Sequence, residues 1–245
     1  MSPRIAGATA WRVLAQLRRD PRTIALLLVV PPLLITLLRY VFAGDEAGFD
    51  RVAGPLVGIF PFTTMFIVTS IAMLRERTSG TLERLLTMPM AKLDLLAGYA
   101  LAFALVATAQ ASLTAAVAFG LLDLDVAGST ALVVALAVAN AILGMALGLF
   151  VSAFATTEFQ AVQFMPALVL PQLLLCGLFV PREDMSAGLE AASNALPLTY
   201  AFDALQRVTV GGALGGRGAL DVAVIAGVTL LALALGAATL RRRTG

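Results

Sequence analysis

The sequence contains no histidine and a single cysteine, Cys176, which sits inside an apolar run. A disulfide framework and any His/Cys metal cluster are thereby excluded, and Cys176 reads as a small buried hydrophobe. Lysine occurs once, at Lys92, and no G-x-x-x-x-G-K-[ST] run exists, so these residues cannot hold ATP in a P-loop. Charge is scarce too: 13% of the 245 residues are charged, while 60% are hydrophobic and the mean hydropathy is +0.93. A soluble domain of this length needs more charge than that on its surface; such a composition suits a chain whose solvent is mostly hydrocarbon. The net charge of +2 is too small to argue for a nucleic-acid partner.

What fills the chain instead is a series of long apolar stretches free, or nearly free, of Asp, Glu, Lys and Arg. A helix needs about 20 residues to cross roughly 30 Å of hydrocarbon. Six stretches qualify, and spans are expected at about 23–43, 54–74, 95–121, 129–153, 159–181 and 222–240. The first must admit Arg39 at its outer end, where an arginine can snorkel to the headgroups. The Pro31-Pro32 pair removes two backbone donors from that helix and is expected to kink it.

Basic residues set the orientation. Arg4, Arg12, Arg18, Arg19 and Arg22 precede the first span; Arg75, Arg77, Arg84 and Lys92 lie between the second and third; Arg241, Arg242 and Arg243 follow the last. Twelve of the seventeen basic residues thus fall on one side, which places both termini in the cytoplasm. The lead-in 1–22 does not read as a secretory signal, because its apolar stretch starts only after 22 residues. On a helical wheel Ala10, Trp11, Val13, Leu14 and Leu17 share one arc, and Arg4, Arg12, Gln16 and Arg19 the other. That pattern predicts an amphipathic helix in the interface plane, broken by Asp20-Pro21; a disordered basic tail is the alternative.

The segment from Arg75 to Met90 is longer than a chain reversal requires. It mixes both charges and keeps Leu82, Leu85 and Leu86 at helical spacing, with Gly80 permitting a turn before them and Pro89 stopping the helix. A short amphipathic helix at the cytoplasmic surface suits docking into a partner's groove; a lipid-facing helix with no partner satisfies the same periodicity.

The run E-R-x-x-G-T-L-E-x-L-L-x-x-P after the second span resembles the first cytoplasmic loop of type-2 ABC transporter permeases. The stretch Pro171–Pro181, with Arg182–Met185 and Leu196–Leu205 beyond it, resembles the same family's fifth span and following outer segment. The resemblance covers essentially the whole chain, and the nearest subgroup is the antibiotic-resistance (anthracycline-type) permeases. It implies an all-α membrane protein: six transmembrane helices over 23–245, an N-terminal interfacial helix, a cytoplasmic coupling helix, and short re-entrant outer helices at Met185–Ala195 and Pro197–Leu205. It implies further that Glu76, Arg77, Gly80, Thr81, Leu82, Glu83, Arg84, Leu85, Leu86 and Pro89 dock on a cytoplasmic ABC ATPase subunit. ATP and Mg would then be bound by that partner and no cofactor by this chain. A second permease copy or a paralogue would complete the pathway, surrounded by membrane lipid.

Polar residues inside the spans need partners or a cavity. Gln110, Asn140, Gln160, Gln163 and Gln172 are read first as interhelical hydrogen bonders. With Phe62, Phe66 and Phe164, the residues Gln110, Asn140, Gln163 and Gln172 are also the candidates for a substrate path. Gly144-x-x-x-Gly148 points to close packing within one chain. An ion-gradient-driven transporter or channel is the second functional reading; it usually wants a mid-span carboxylate, and none is found, the nearest being Glu158 at a span end. A membrane enzyme is the third, and without histidine or paired carboxylates at one depth its catalytic groups are hard to find. The topology is testable by labelling: Ser186→Cys should react with an impermeant thiol reagent from outside and Thr87→Cys only from inside. The reverse pattern would invert the orientation.

Overall fold

The computed structural model describes residues 2–81, 85 and 92–239, and all the regular structure among them is helical. The order is α1 (Pro3–Arg18), α2 (Pro21–Val41), α3 (Glu46–Thr78), α4 (Lys92–Gly120), α5 (Thr130–Val151), α6 (Glu158–Phe164), α7 (Leu170–Leu175), α8 (Ala187–Asn194), α9 (Pro197–Thr209) and α10 (Gly215–Ala238). Five of these are long and apolar enough to cross a membrane: α2, α3, α4, α5 with its following turn to Phe154, and α10.

The helix starts follow local chemistry. Asp20 accepts a hydrogen bond from the Thr23 N–H and Asp45 one from the Gly48 N–H, so each carboxylate caps free donors at a helix N-terminus. The Asp45 cap starts α3 two turns before the expected 54, and its 33 residues extend about 50 Å, well beyond the hydrocarbon thickness. Helix α10 likewise begins at Gly215 rather than 222, so Arg217 and Asp221 lie in its first turns and not in a loop.

The centre of the bundle is the packing of α3 on α5. A Cβ on Gly144 would stand 2.2 Å from the Phe62 carbonyl oxygen, and one on Gly148 would stand 2.4 Å from that of Phe66. The two helices therefore touch backbone to backbone, which only glycine permits. Thr69 Oγ1 donates across the seam to the Met145 carbonyl at 3.1 Å. The G-x-x-x-G is thus used inside the chain, as its spacing suggests. On another side of α3, Gly58 admits Leu205 of α9.

Proline positions explain two of the polar residues. Helix α2 continues through Pro31 and Pro32. Pro31 has no N–H for the Leu27 carbonyl one turn earlier, and Gln110 of α4 donates to that oxygen at 2.7 Å. Where the fifth span is expected at 159–181, α6 and α7 are joined by a π-helical turn, Met165–Val169, and the helix ends at Leu175. Pro166 and Pro171 are the cause: each removes a donor, and the chain re-registers around the gap. Gly177 follows at φ +102. Gln172 donates to the Leu168 carbonyl at 2.9 Å and accepts from the Leu198 N–H at 3.3 Å, tying α7 to the start of α9.

Helix α1 packs on α4, and the wheel assignment needs correction there. Thr9, Ala10 and Val13 are buried, but Trp11 is 74% exposed and Arg12, expected on the polar arc, turns inward. The reason is steric and electrostatic together. Gly98 leaves room for Thr9, whose Cβ would stand 2.4 Å from an added Gly98 Cβ, and two groups on α3 and α4 claim the Arg12 guanidinium.

The seam gives a direct test. Gly144→Ala should destabilise the chain by about 1–3 kcal/mol, because the extra methyl meets backbone that cannot yield. Gly227→Ala, whose Cβ would meet nothing within 4 Å, should be neutral or gain up to about 1 kcal/mol. Melting of the two variants in the same detergent separates the outcomes.

Candidate functional site

At the end of the bundle that carries α1, three helices meet in one polar node. Arg12 Nη1 donates to Glu76 Oε1 at 3.2 Å, and its Nη2 donates to the Tyr99 hydroxyl. The guanidinium carbon stands 5.5 Å from the centre of the Tyr99 ring, a cation–π arrangement. In its hydrogen-bonding orientation the Gln16 amide donates to the same Glu76 oxygen at 3.3 Å and accepts from Arg12 at 3.2 Å. Glu76 is only 12% exposed, so its charge needs this partner. The second carboxylate oxygen, Oε2, is buried and bonds to no described group. Ser2 N–H donates to the buried Asp94 at 2.9 Å and pins the start of α1 to α4.

Beside this node a cleft of about 700 Å³ opens between α2 and α3. Its α3 wall is one helical stripe, from Thr63, Thr64, Ile67 and Val68 through Ile71 and Ala72 to Arg75, Glu76 and Ser79. Thr23, Leu26, Leu27, Val30 and Leu34 form the α2 wall, and Val13, Gln16 and Leu17 of α1 close the polar end. Thr23 donates to both Asp20 oxygens, at 3.2 and 2.6 Å, and holds that exposed carboxyl below its ordinary range. Arg75 is taken by Glu158, with bonds of 2.7 and 3.0 Å. That bidentate pair joins the end of α3 to the start of α6, but it is more than half exposed and adds little stability.

A second cavity, of about 800 Å³, lies at the opposite end among α8, α9, the start of α10 and the segment after α7. It is the more polar of the two. Arg182 bonds to Asp203 and to Asn194 at 2.9 Å, and Arg207 pairs with the buried Asp221 at 3.3 Å. Arg51 and Arg217 line it as well.

None of the seven residues expected on a substrate path lines either cavity. Phe62, Phe66 and Asn140 are fully buried between helices, and neither Asn140 amide atom finds a hydrogen bond among described groups. Gln110 and Gln172 serve the backbone, Phe164 packs against the core, and Gln163 is exposed on α6. The cleft was not legible from residue order, because its walls are ordinary apolar residues from helices that only folding brings together. The periodicity of its α3 wall was the available signal.

Of the expected docking segment, Glu76 and Arg77 occupy the last turn of α3, both largely buried. Arg77 Nη2 reaches Thr239 Oγ1 at 3.1 Å, beyond the end of α10. Gly80 follows with φ +70, the left-handed residue that ends a helix. Thr81 and Leu85 are helical, and Leu85 packs against the core. Leu82, Glu83, Arg84, Leu86 and Pro89 lie outside the described residues.

The family model for the ABC-2 type transporter matches residues 6–209, from α1 to the end of α9. "Probable multidrug ABC transporter permease YbhR" of Escherichia coli (strain K12) is 29% identical over 153 residues, which are 62% of this chain and 42% of that protein. "ABC transporter G family member 20" of Dictyostelium discoideum is 26% identical over 163 residues, 66% of this chain and 22% of that protein. The chain thus matches less than half the length of these curated relatives. With the family model covering most of its length, five apolar helices of spanning length and a multi-helix bundle to match, this chain is a multi-pass membrane protein belonging to the ABC-2 type transporter family.

Proposed function

We propose that this chain is the permease subunit of an ATP-binding-cassette exporter, moving hydrophobic or amphipathic molecules outward at the expense of ATP hydrolysed on a separate subunit. The family match over 6–209 carries the reading. The absence of a P-loop from these 245 residues supports the placement of ATP and Mg on a partner. Relatives named as a multidrug permease and as an ABC transporter G family member agree with it.

In this reading the α1 end faces the cytoplasm, where most of the basic residues lie, and α1 rests in the interface with Trp11 at headgroup depth. A sixth crossing is supplied by α6, the π turn and α7, whose seven, five and six residues rise roughly 27 Å together. Helices α8 and α9, too short to span, dip into the outer face before α10, with the polar cavity as an aqueous mouth that satisfies their ends. A second copy or a paralogue completes the pathway.

The segment from Thr81 to Pro89 is the docking element. Glu76 and Arg77, tied to α1 and to the end of α10, pass its movement into the membrane helices. Closure of two ATPase subunits pulls on this segment. The Arg12–Glu76–Tyr99 node then makes α1, α3 and α4 move as one body.

Deleting Thr81–Leu86, or introducing Glu83→Arg, should abolish ATP-driven transport into inverted vesicles and reduce co-purification of the ATPase while the chain still inserts. Normal partner binding by both variants would remove the docking role. Arg12→Ala should leave partner binding intact but lower stability by about 1–3 kcal/mol, since it leaves the Glu76 charge unpaired. Thermal melting beside a pull-down measures both effects.

A further inference from the structure

Residues 18–22 read Arg-Arg-Asp-Pro-Arg, so the junction of α1 and α2 holds three arginines against one aspartate. Its geometry leaves that positive charge unspent. Thr9, Ala10 and Val13 bury one side of α1, and Arg12 of the same helix bonds to Glu76 and Tyr99, while Arg18 and Arg19 stay exposed. Arg22, in the first turn of α2, is exposed too. Asp20, the one carboxylate in the run, has both oxygens on Thr23. No ion pair among the described residues takes up any of the three guanidiniums.

Chain continuity sets the depth of these groups. Helix α2 is long and apolar enough to span and starts at Pro21, so the run stands where that helix enters the bilayer. One face of α2 then passes from Arg22 to Val29 and Leu33, which are 56% and 49% exposed. From Arg22 to Leu33 is about 16 Å at 1.5 Å per residue, roughly one leaflet of hydrocarbon. Trp11, 74% exposed, lies one heptad before Arg18 on α1, about 10 Å away along the same face, and an indole favours headgroup depth.

An acyl chain that covers Val29 and Leu33 therefore brings its own head to the arginines. The guanidinium fork matches a phosphate, and no fixed carboxylate there is free to compete for it. A zwitterionic head would add its own cation to three others. An acidic protein surface would complement the charge, but not the apolar face that continues from Arg22 into the hydrocarbon.

We propose that the α1–α2 junction binds an anionic phospholipid, its phosphate held by Arg18, Arg19 and Arg22 and an acyl chain lying along the Val29–Leu33 face of α2. This rests on the interfacial placement of α1 proposed above and on nothing about transport.

Trp11 is the only tryptophan of the chain, so its fluorescence reports on this region alone. The test uses the purified full chain, with no ATPase present, in vesicles of equal parts phosphatidylcholine and phosphatidylglycerol, one or the other carrying bromine on its acyl chains as a quencher. Phosphatidylglycerol should be preferred beside Trp11 by about fivefold, the factor that one basic side chain near an anionic surface contributes. The preference should fall towards unity in ~1 M salt, where charges are screened within roughly 3 Å. The triple variant Arg18→Gln, Arg19→Gln, Arg22→Gln should also bring it close to one, with brominated phosphatidylcholine still quenching. Removing as much charge elsewhere, by Arg241→Gln, Arg242→Gln, Arg243→Gln, should leave it unchanged. Equal quenching by the two lipids in the unaltered chain, a preference that survives the first triple variant, or one that the second abolishes as well would each overturn the proposal. Quenching by neither lipid, as when a second copy covers Trp11, would overturn it together with the interfacial placement of α1. Because the unaltered chain alone gives the lipid ratio, misfolding of a variant cannot rescue it. Failure of ATP-driven export with the preference intact would sink only the export function, and loss of the preference with export intact would sink only this site.

Discussion

The contact on which the other helices depend is the backbone-to-backbone seam of α3 and α5. Hydrocarbon offers no hydrophobic drive to hold helices together, so their association rests on close packing and on the few polar groups they share. Gly144 and Gly148 bring the helix backbones so near that Phe62 and Phe66 present their carbonyl oxygens to bare α-carbons, and Thr69 adds a hydrogen bond across the gap. With that column fixed, α9 settles on Gly54 and Gly58, α4 and α10 pack on α5, and α2 remains at the periphery with few residues buried. A rigid centre with one lightly held outer helix is a layout in which a cleft can exist between α2 and α3 without weakening the core.

The α1 end is built differently, from charge rather than close approach. Arg12, Glu76 and Tyr99 come from three helices, and Arg12 bonds to both of the others. A largely buried carboxylate is costly without its arginine, and the arginine's hydrophobic stem covers apolar surface while its head is engaged. The result is an attachment more specific in geometry than large in energy. It fixes the position of α1 relative to the last turn of α3, next to the segment that the family resemblance marks as a coupling element.

Much of the architecture was legible because the demands of hydrocarbon are simple. Long uncharged runs gave α2 to α5 and α10, and the glycine spacing gave the seam. Legibility failed where charge was mistaken for exposure. Asp221 read as a loop residue, but it is buried in the first turns of α10, where Arg207 pairs with it. Arg12 read as headgroup-facing, but an ion pair on α3 draws it inward. The amides were legible as interhelical hydrogen bonders but their partners were not: Gln110 repairs the carbonyl that Pro31 strands, and Gln172 bonds the first turn of α9. These roles depend on which helices become neighbours, which residue pattern along one helix does not encode.

The π turn at Met165–Val169 has a geometric consequence for the segment beyond it. A π turn accommodates one residue more than an α turn, and one residue of an α-helix subtends about 100°. Relaxing that turn to α geometry would swing the far half, with Gln172 and the junction to α9, around its own axis relative to α6. The register of the α7–α9 junction and the pairing of Glu158 with Arg75 are therefore separate settings on the two sides of a swivel.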